Sequence, residues 1–264
     1  MNYEFKVSII VVSLNTKKKF IKTINSIKNQ IYKNYEIIVV DGKSNDGTVR
    51  IIKKNEFKIN KFLIERDEGI YDAMNKGIKI ASGEWIIFLN SGDIFFDNFV
   101  LKKVNKLLMS NVDLLFGDTL INNEFLYLAK AQKVSKNISN MPFCHQSVLC
   151  KSSLLKKKLF NLEYHICSDF DFILNCVLSN KRFKYYPNLI STVEAGGLSD
   201  TRRFKAHFEY FKILTRNSNF KKSYLPFLIS FSLLCLKTII KKILPNYLNK
   251  KIIKMKYKSK NKRK

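Results

Sequence analysis

The chain has 264 residues and a formal net charge of +27, from 48 Lys and Arg against 21 Asp and Glu, with 46% hydrophobic residues. This length can bury a real core in one large α/β domain or a domain with an appendage, and the apolar content excludes a wholly disordered tail or a membrane bundle. The positive balance attracts polyanions (anionic lipid headgroups, phosphorylated substrates, nucleic acid), although lysines spread along the whole chain also fit a Lys- and Asn-rich compositional habit.

Residues 7–14 form a continuous apolar run, the pattern of a strand buried on both faces. Residues 17–29 put Phe20, Ile21, Ile24 and Ile27 on one helical face. A second buried strand at 36–40 ends at Asp41-Gly42, followed by a helix over 44–54 and a third strand over 62–64. A helix at 70–81 leads to a fourth strand at 85–89, which ends in Asn90-Ser-Gly-Asp93, and a helix over about 98–109 precedes a strand at 113–117. This alternation predicts a mostly parallel central sheet with helices on both faces. Beyond it, 168–178 reads as a helix, and 183–186 and 189–193 read as strands. Residues 204–214 are amphipathic, 224–236 are strongly apolar, and a lysine-rich tail begins at 250. An apolar run beside a polybasic tail is the signature of an interfacial helix on an anionic membrane; a core helix followed by a solvated tail is the other reading. The run is shorter than the roughly 20 residues of a membrane span.

Five cysteines (Cys144, Cys150, Cys167, Cys176 and Cys235) without CxxC pairs suit buried thiols in a reducing compartment. No cleavage site follows the short apolar run at 7–14, so the active domain is expected to face the cytoplasm. No GxGxxG follows the first strand, which disfavours a dinucleotide oxidoreductase, and no nucleic-acid-binding module appears.

In open parallel sheets ligands bind outside the carboxyl ends of the strands. Three polar clusters fall there: Ser13 to Asn15, the loop from Asp41 to Thr48, and Asn90 to Asp93. Gly42 and Gly47 allow a tight turn and close backbone approach. Ser44 and Asp46 read as helix N-caps, whereas Asp41, at the end of a buried strand, reads as a ligand-binding carboxylate.

These clusters, with Asp67-Glu-Gly-Ile-Tyr-Asp-Ala-Met-Asn-Lys-Gly77 and Phe88-Leu-Asn-Ser-Gly-Asp93, occur in an order and spacing that resembles family 2 glycosyltransferases of the GT-A fold. The likeness extends through Cys144-His145-Gln146-Ser147, Ser168-Asp169 and Gly196-Gly197-Leu198-Ser199, and is similar to the branch that assembles bacterial surface polysaccharides such as colanic acid and O-antigen. The resemblance implies a GT-A nucleotide-diphospho-sugar transferase domain over 1–202, with a donor-binding half at 1–120 and an acceptor-side half at 121–202. Residues 203–264 would be a C-terminal helical, membrane-associating extension.

By the same resemblance, Asp41 holds the donor nucleobase, with Ser13 and Asn15 lining the pocket. Asp72 and Asn75 would contact ribose or sugar, and Lys76 phosphate. Asp93 takes the place of the last carboxylate in a motif that holds Mg²⁺ or Mn²⁺; Asn90 and Gly92 stand where carboxylates are more common. Asp169 corresponds to the catalytic base of an inverting transfer, Ser168 replaces the Glu that many relatives carry before it, and Asp171 points about 200° away on a helix. His145, Gln146 and Gly197 would line the acceptor side, and Gly197 equally fits a loop position of positive φ. The implied partners are a nucleotide-diphospho-sugar, a saccharide or lipid-linked saccharide and an anionic membrane surface, with no nucleic acid. The enzyme would sit peripherally at the inner face of the plasma membrane. The thinned carboxylate motif leaves a non-catalytic nucleotide-sugar-binding scaffold subunit as the alternative, against which Asp169 argues.

Overall fold

A computed structural model describes residues 4–54, 57–109, 111–123, 126–136, 138–217 and 220–243. Strands β1 (Val7–Ser13), β2 (Tyr35–Asp41), β3 (Lys61–Ile64) and β4 (Trp85–Phe88) lie parallel in the order β3-β2-β1-β4. Their connections carry α1 (Lys17–Lys28), α2 (Thr48–Lys54) and α3 (Ile70–Ile80). Because side chains alternate along a strand, the apolar runs feed two cores. Val7, Ile9 and Val11 of β1 pack with Phe20, Ile24 and Ile27 of α1, while Ile10 packs with Met74 and Ile78 of α3. On α1 the buried stripe takes Thr23 as well, and Ile21 is half-buried.

After β4 the chain forms β5 (Ile94–Phe95), α4 (Val100–Asn105), β6 (Leu114–Asn122), β7 (Leu126–Ala129), a 3-10 turn at His145–Ser147 and β8 (Val148–Lys151). Helices α5 (Ser152–Lys157) and α6 (Ser168–Leu178) precede β9 (Phe183–Glu194). The sheet continues β4-β8-β6-β9-β5, with β8 antiparallel to both neighbours, β9 parallel to β6, and β7 paired antiparallel to β6. It is therefore parallel across the first half and mixed across the second. The two strands expected at 183–186 and 189–193 are one, with pairing to β6 that slips at Gly117 and Asp118. Pro187 lies opposite the slip and has no N–H to donate to the ladder.

The C-terminal elements are α7 (Leu198–Thr201), α8 (Arg203–Asn217) and α9 (Phe220–Ile243). Helix α8 buries Ala206 and Ile213 against Tyr164, Ile166, Phe170 and Leu174, a third core cluster that joins it to α6. Helix α9 packs back on α8 through aromatic contacts such as Phe211 with Phe227, ring centroids 4.1 Å apart. The apolar run at 224–236 lies inside α9, where Leu225, Leu228, Ile229, Leu233 and Leu236 are exposed. Among the described residues no helix is long and apolar enough to cross a membrane, and the lysine-rich tail lies outside the described residues.

Candidate active site

The carboxyl ends of β2, β1 and β4 form one rim. Ser13 and Asp41 are register partners, the Gly42 amide donates to the Ser13 carbonyl at 2.9 Å, and the Ser91 amide donates to the Val12 carbonyl at 3.0 Å. Loops leaving the three strands therefore start side by side. Asp41 is fully buried: Oδ1 accepts the Ser44 amide and Oδ2 the Ser44 hydroxyl, both at 2.7 Å. The Asn15 amide donates to Ser44 Oγ at 2.8 Å, and Asn15 Oδ1 accepts the Asn45 amide at 2.8 Å, which ties the first loop to the second. Ser44 is thus a cross-link and not an N-cap. Asp46 does cap α2, which starts at Thr48, by accepting the Thr48 amide at 3.0 Å. Ser13 Oγ lies 3.1 Å from Thr16 Oγ1.

The rim holds a second carboxylate that the motif reading passed over. Asp67 Oδ2 comes so near Gly42 that a Cβ there would lie 2.6 Å from it. Burial raises the Asp67 carboxyl above its ordinary value, and the charges of Asp72 and Asp41 add to this. Its position at the start of the Asp67 to Gly77 motif was the available signal.

Asn90 to Asp93 form a turn closed by the Asp93 amide on the Asn90 carbonyl at 2.9 Å. Gly92 sits at φ +112, a conformation that disfavours a side-chain-bearing residue. Thr23 of α1 holds the turn, accepting the Gly92 amide at 2.9 Å and donating to the Asp93 carbonyl at 2.8 Å. Asp93 is buried, and this burial pushes its carboxyl up to about 6 against the lowering pull of His145 and Gln146. Asn90 Oδ1 is buried with no hydrogen-bond partner, at a cost of about 1–3 kcal/mol unless a ligand takes it up. Among the described residues no group of three or more His, Cys, Asp or Glu could hold a metal ion by itself. One carboxylate and one open amide oxygen do fit a hard cation that keeps water and phosphate oxygens as its other ligands.

The 3-10 turn at 145–147 bridges this rim to α6. Gln146 Nε2 donates to Asp93 Oδ2 at 3.1 Å, His145 Nε2 lies 3.3 Å from Asn90 Nδ2, and His145 Nδ1 lies 3.1 Å from Asp169 Oδ2. Asp169 stands in the first turn of α6, where Oδ1 accepts its neighbour Phe170's amide at 2.8 Å and the Tyr71 hydroxyl at 2.9 Å. Below His145 and Asp169 a pocket is walled by Phe88, Leu114, Phe160 and Phe172. Asp93 and Asp169, 76 positions apart in sequence (169 − 93), are joined by two neighbouring side chains. Tyr71 stood in the sequence only as one member of the Asp67 to Gly77 motif, and its hydroxyl contact with a residue 98 positions away left no local signal. Ser168 is buried and donates to the Asn161 carbonyl at 2.8 Å, so it does not stand in for the missing Glu; Asp171 is buried also.

Three other expected residues are committed locally. Asn75 is buried, with Nδ2 donating to the Phe160 carbonyl and Oδ1 accepting the Phe160 amide, both at 2.9 Å. Lys76 is held by Glu65 at 3.0 Å and Asp72 at 3.1 Å, and Asp72 Oδ2 also accepts the Glu68 amide at 3.1 Å. The positive φ expected of Gly197 belongs to Gly196, at +92; Gly197 instead starts α7's capping, its carbonyl accepting the Thr201 amide at 3.1 Å. Glu194, at the end of β9, lies over the Asn90 turn with Lys19 at 2.7 Å, and its amide points to Asp93 Oδ1 at 3.4 Å.

The profile described as Glycosyl transferase family 2 matches residues 8–173, more than half of the chain. A PGL/p-HBAD biosynthesis glycosyltransferase of Mycobacterium bovis is 30% identical over 204 residues, covering 74% of this chain and 79% of its own. The Escherichia coli UDP-Glc:alpha-D-GlcNAc-diphosphoundecaprenol beta-1,3-glucosyltransferase WfgD is 28% identical over 159 residues, covering 60% and 63%. Among solved structures, S. aureus TarS in complex with UDP-GlcNAc superposes with a TM-score of 0.64 at 20% identity, over 79% of this chain and 64% of that one. The mannosyltransferase PcManGT of Pyrobaculum calidifontis, in complex with GDP-Man and Mn²⁺, superposes at 0.62 with 18% identity, over 88% and 70%. The two structures share the GT-A type of fold, and the profile spans the rim of β1, β2 and β4, the Asn90 turn and the start of α6. The chain belongs to glycosyl transferase family 2.

Proposed function

We propose that this chain transfers a sugar, with inversion, from a nucleotide-diphospho-sugar to a saccharide carried on a lipid, in the assembly of a surface polysaccharide of the lipopolysaccharide or capsule kind. The observation that carries the reading is the side-chain line Asp93–Gln146, His145–Asp169, which sets a carboxylate beside the donor rim and over a pocket. The UDP-GlcNAc bound by TarS and the diphosphoundecaprenol acceptor in the name of WfgD support the two substrate classes.

The donor base lies at the rim of β1 and β2. Asp41, closed off by Ser44, aligns the loop from beneath, while Ser13, Asn15 and Asp67 border the base, and Asp72 with Lys76 stands toward ribose and phosphate. The acceptor enters from the side of His145, Gln146, Gly196 and Gly197. Its hydroxyl oxygen bonds to the anomeric carbon while Asp169 Oδ2 takes the proton, and the bond from that carbon to the diphosphate breaks, its electron pair leaving on the nucleoside diphosphate. His145 Nδ1 orients Oδ2, and Tyr71 with the Phe170 amide fixes Oδ1. Asp93 and Asn90 Oδ1 would hold Mg²⁺ or Mn²⁺, which when bound would supply positive charge toward the diphosphate; the Mn²⁺ of PcManGT supports this choice.

The exposed apolar side chains of α9 precede a lysine-rich sequence, a pairing that suits an anionic bilayer surface, so the enzyme works peripherally at the inner face of the plasma membrane. The test is transfer from UDP-, GDP- or dTDP-sugars to a lipid-linked saccharide with Mn²⁺. Asp169→Asn should lower kcat by about 10²–10⁴ with donor affinity retained. Donor binding without turnover in the unaltered protein would instead make it a scaffold subunit.

A further inference from the structure

Glu209 is a buried carboxylate on the inner face of α8, and the reaction described above does not use it. No ion pair to it occurs among the contacts of the described residues. Its oxygens instead accept three consecutive amides: His165 at 3.2 Å on Oε1, and Ile166 at 2.8 Å and Cys167 at 3.0 Å on Oε2. A buried charge is expensive unless hydrogen-bonded, and charge-assisted bonds to backbone N–H groups are the strong kind. These three amides immediately precede α6, whose N-cap residue Cys167 makes no side-chain capping bond. The same short segment is also held by Tyr71, whose single hydroxyl proton is shared between the Ile166 carbonyl at 2.7 Å and Asp169 Oδ1 at 2.9 Å. Tyr210, next to Glu209 on α8, packs on Phe170 with ring centroids 4.7 Å apart.

We infer that Glu209 is a positioning residue for the transfer: from the C-terminal helix it sets the 165–167 segment, and through it the placement of the Asp169 carboxylate. The inference rests on Asp169 being the base. A shift of about 1 Å in a reacting group costs on the order of 10²-fold in rate, which bounds the effect. The C-terminal helices therefore complete the active site as well as presenting an apolar face.

The experiment uses the full chain with Glu209→Gln and Glu209→Ala. The glutamine keeps the volume but removes the charge and turns an NH₂ toward amides that need acceptors. Both variants should lose roughly 10- to 100-fold in kcat while donor KM stays within about twofold, and the pH-rate profile of kcat should move. In an Asp169→Asn background the second substitution should cost nothing further, whereas a general folding defect would multiply through. Wild-type kcat and pH profile in both variants, or fully multiplicative losses, would overturn the assignment. Hydrogen exchange of the 165–167 amides reads the same contact without activity. Faster exchange in Glu209→Gln is expected, and unchanged exchange would refute the positioning role even if no sugar transfer were found in the unaltered chain. Absence of transfer in that chain would refute the base role of Asp169 separately.

Discussion

Replacing Asn75 by Ala removes both partners of the Phe160 backbone, its amide donor and its carbonyl acceptor, in a place where water does not reach. Leaving a buried polar group unpaired costs about 1–3 kcal/mol, so the pair amounts to roughly 2–6 kcal/mol. For a chain of this length each kcal/mol lowers Tm by about 2–4 °C, giving a fall of roughly 4–24 °C. Urea unfolding should show the midpoint fall with an unchanged m-value, while calorimetric nucleotide affinity stays the same. Asn75→Asp keeps the acceptor for the Phe160 amide but sets a carboxylate against the Phe160 carbonyl, and should destabilise by a similar amount. Unfolding of Asn75→Ala at the wild-type midpoint together with tenfold weaker nucleotide binding, a loss of about 1.4 kcal/mol, would refute this structural role. That result would return the side chain to the donor, where the family likeness puts it.

Gly42→Ala should leave stability nearly unchanged, because its Cβ meets the ends of two side chains, Asp67 Oδ2 at 2.6 Å and Leu14 Cδ1 at 3.1 Å, but weaken donor binding about tenfold as the Asp67 carboxylate moves; unaltered affinity would remove Asp67 from the base pocket. At the opposite end of β2, burial raises the Glu36 carboxyl, but bonds from Ser8, Ser82 and Lys61 outweigh it and hold the group down from 4.5 to about 2. The folded-state value lies below the unfolded one, so Glu36 contributes roughly 3 kcal/mol above about pH 4.5, lost as pH falls through about 2. Glu36→Gln should therefore flatten the acid limb of a stability–pH curve and leave transfer alone. An acid limb of unchanged steepness would contradict this. Deleting residues 237–264 should release the protein from anionic vesicles, and equal retention of the truncated chain would show that this segment carries no membrane affinity.

Periodicity was enough for the first half of the fold. Continuous apolar runs such as 7–14 need two covering layers, and β-branched runs alternating with helical stripes leave a parallel sheet flanked on both faces. The order of the polar clusters along the chain was equally legible and located Ser13, Asp41, Asp93 and Asp169 as residues of interest. Helix ends were less so: α2 begins at Thr48, with Ser44 committed to Asp41 and the Asn15 amide and Asp46 to the Thr48 amide.

What no local pattern contains is which side chains meet across the fold. Asn75 and Asp72 share a motif and a helix, yet only Asn75 reaches across the fold, to Phe160, while Asp72 pairs with Lys76 four positions on; tertiary packing decides which face of α3 turns inward. Glu209 had a faint signal, a carboxylate on the buried stripe shared with Ala206 and Ile213, but its partners are backbone amides about forty residues away that carry no mark in sequence. The amino-acid sequence by itself determined the parallel strands and helices of the first half and the family, since these follow from short-range periodicity and ordered motifs. The bridge from Asp93 through Gln146 and His145 to Asp169, and the grip of α8 on the segment before α6, were decided by the closed tertiary structure, because hydrogen bonds between distant segments exist only once the sheet has brought them within 3 Å or so of each other.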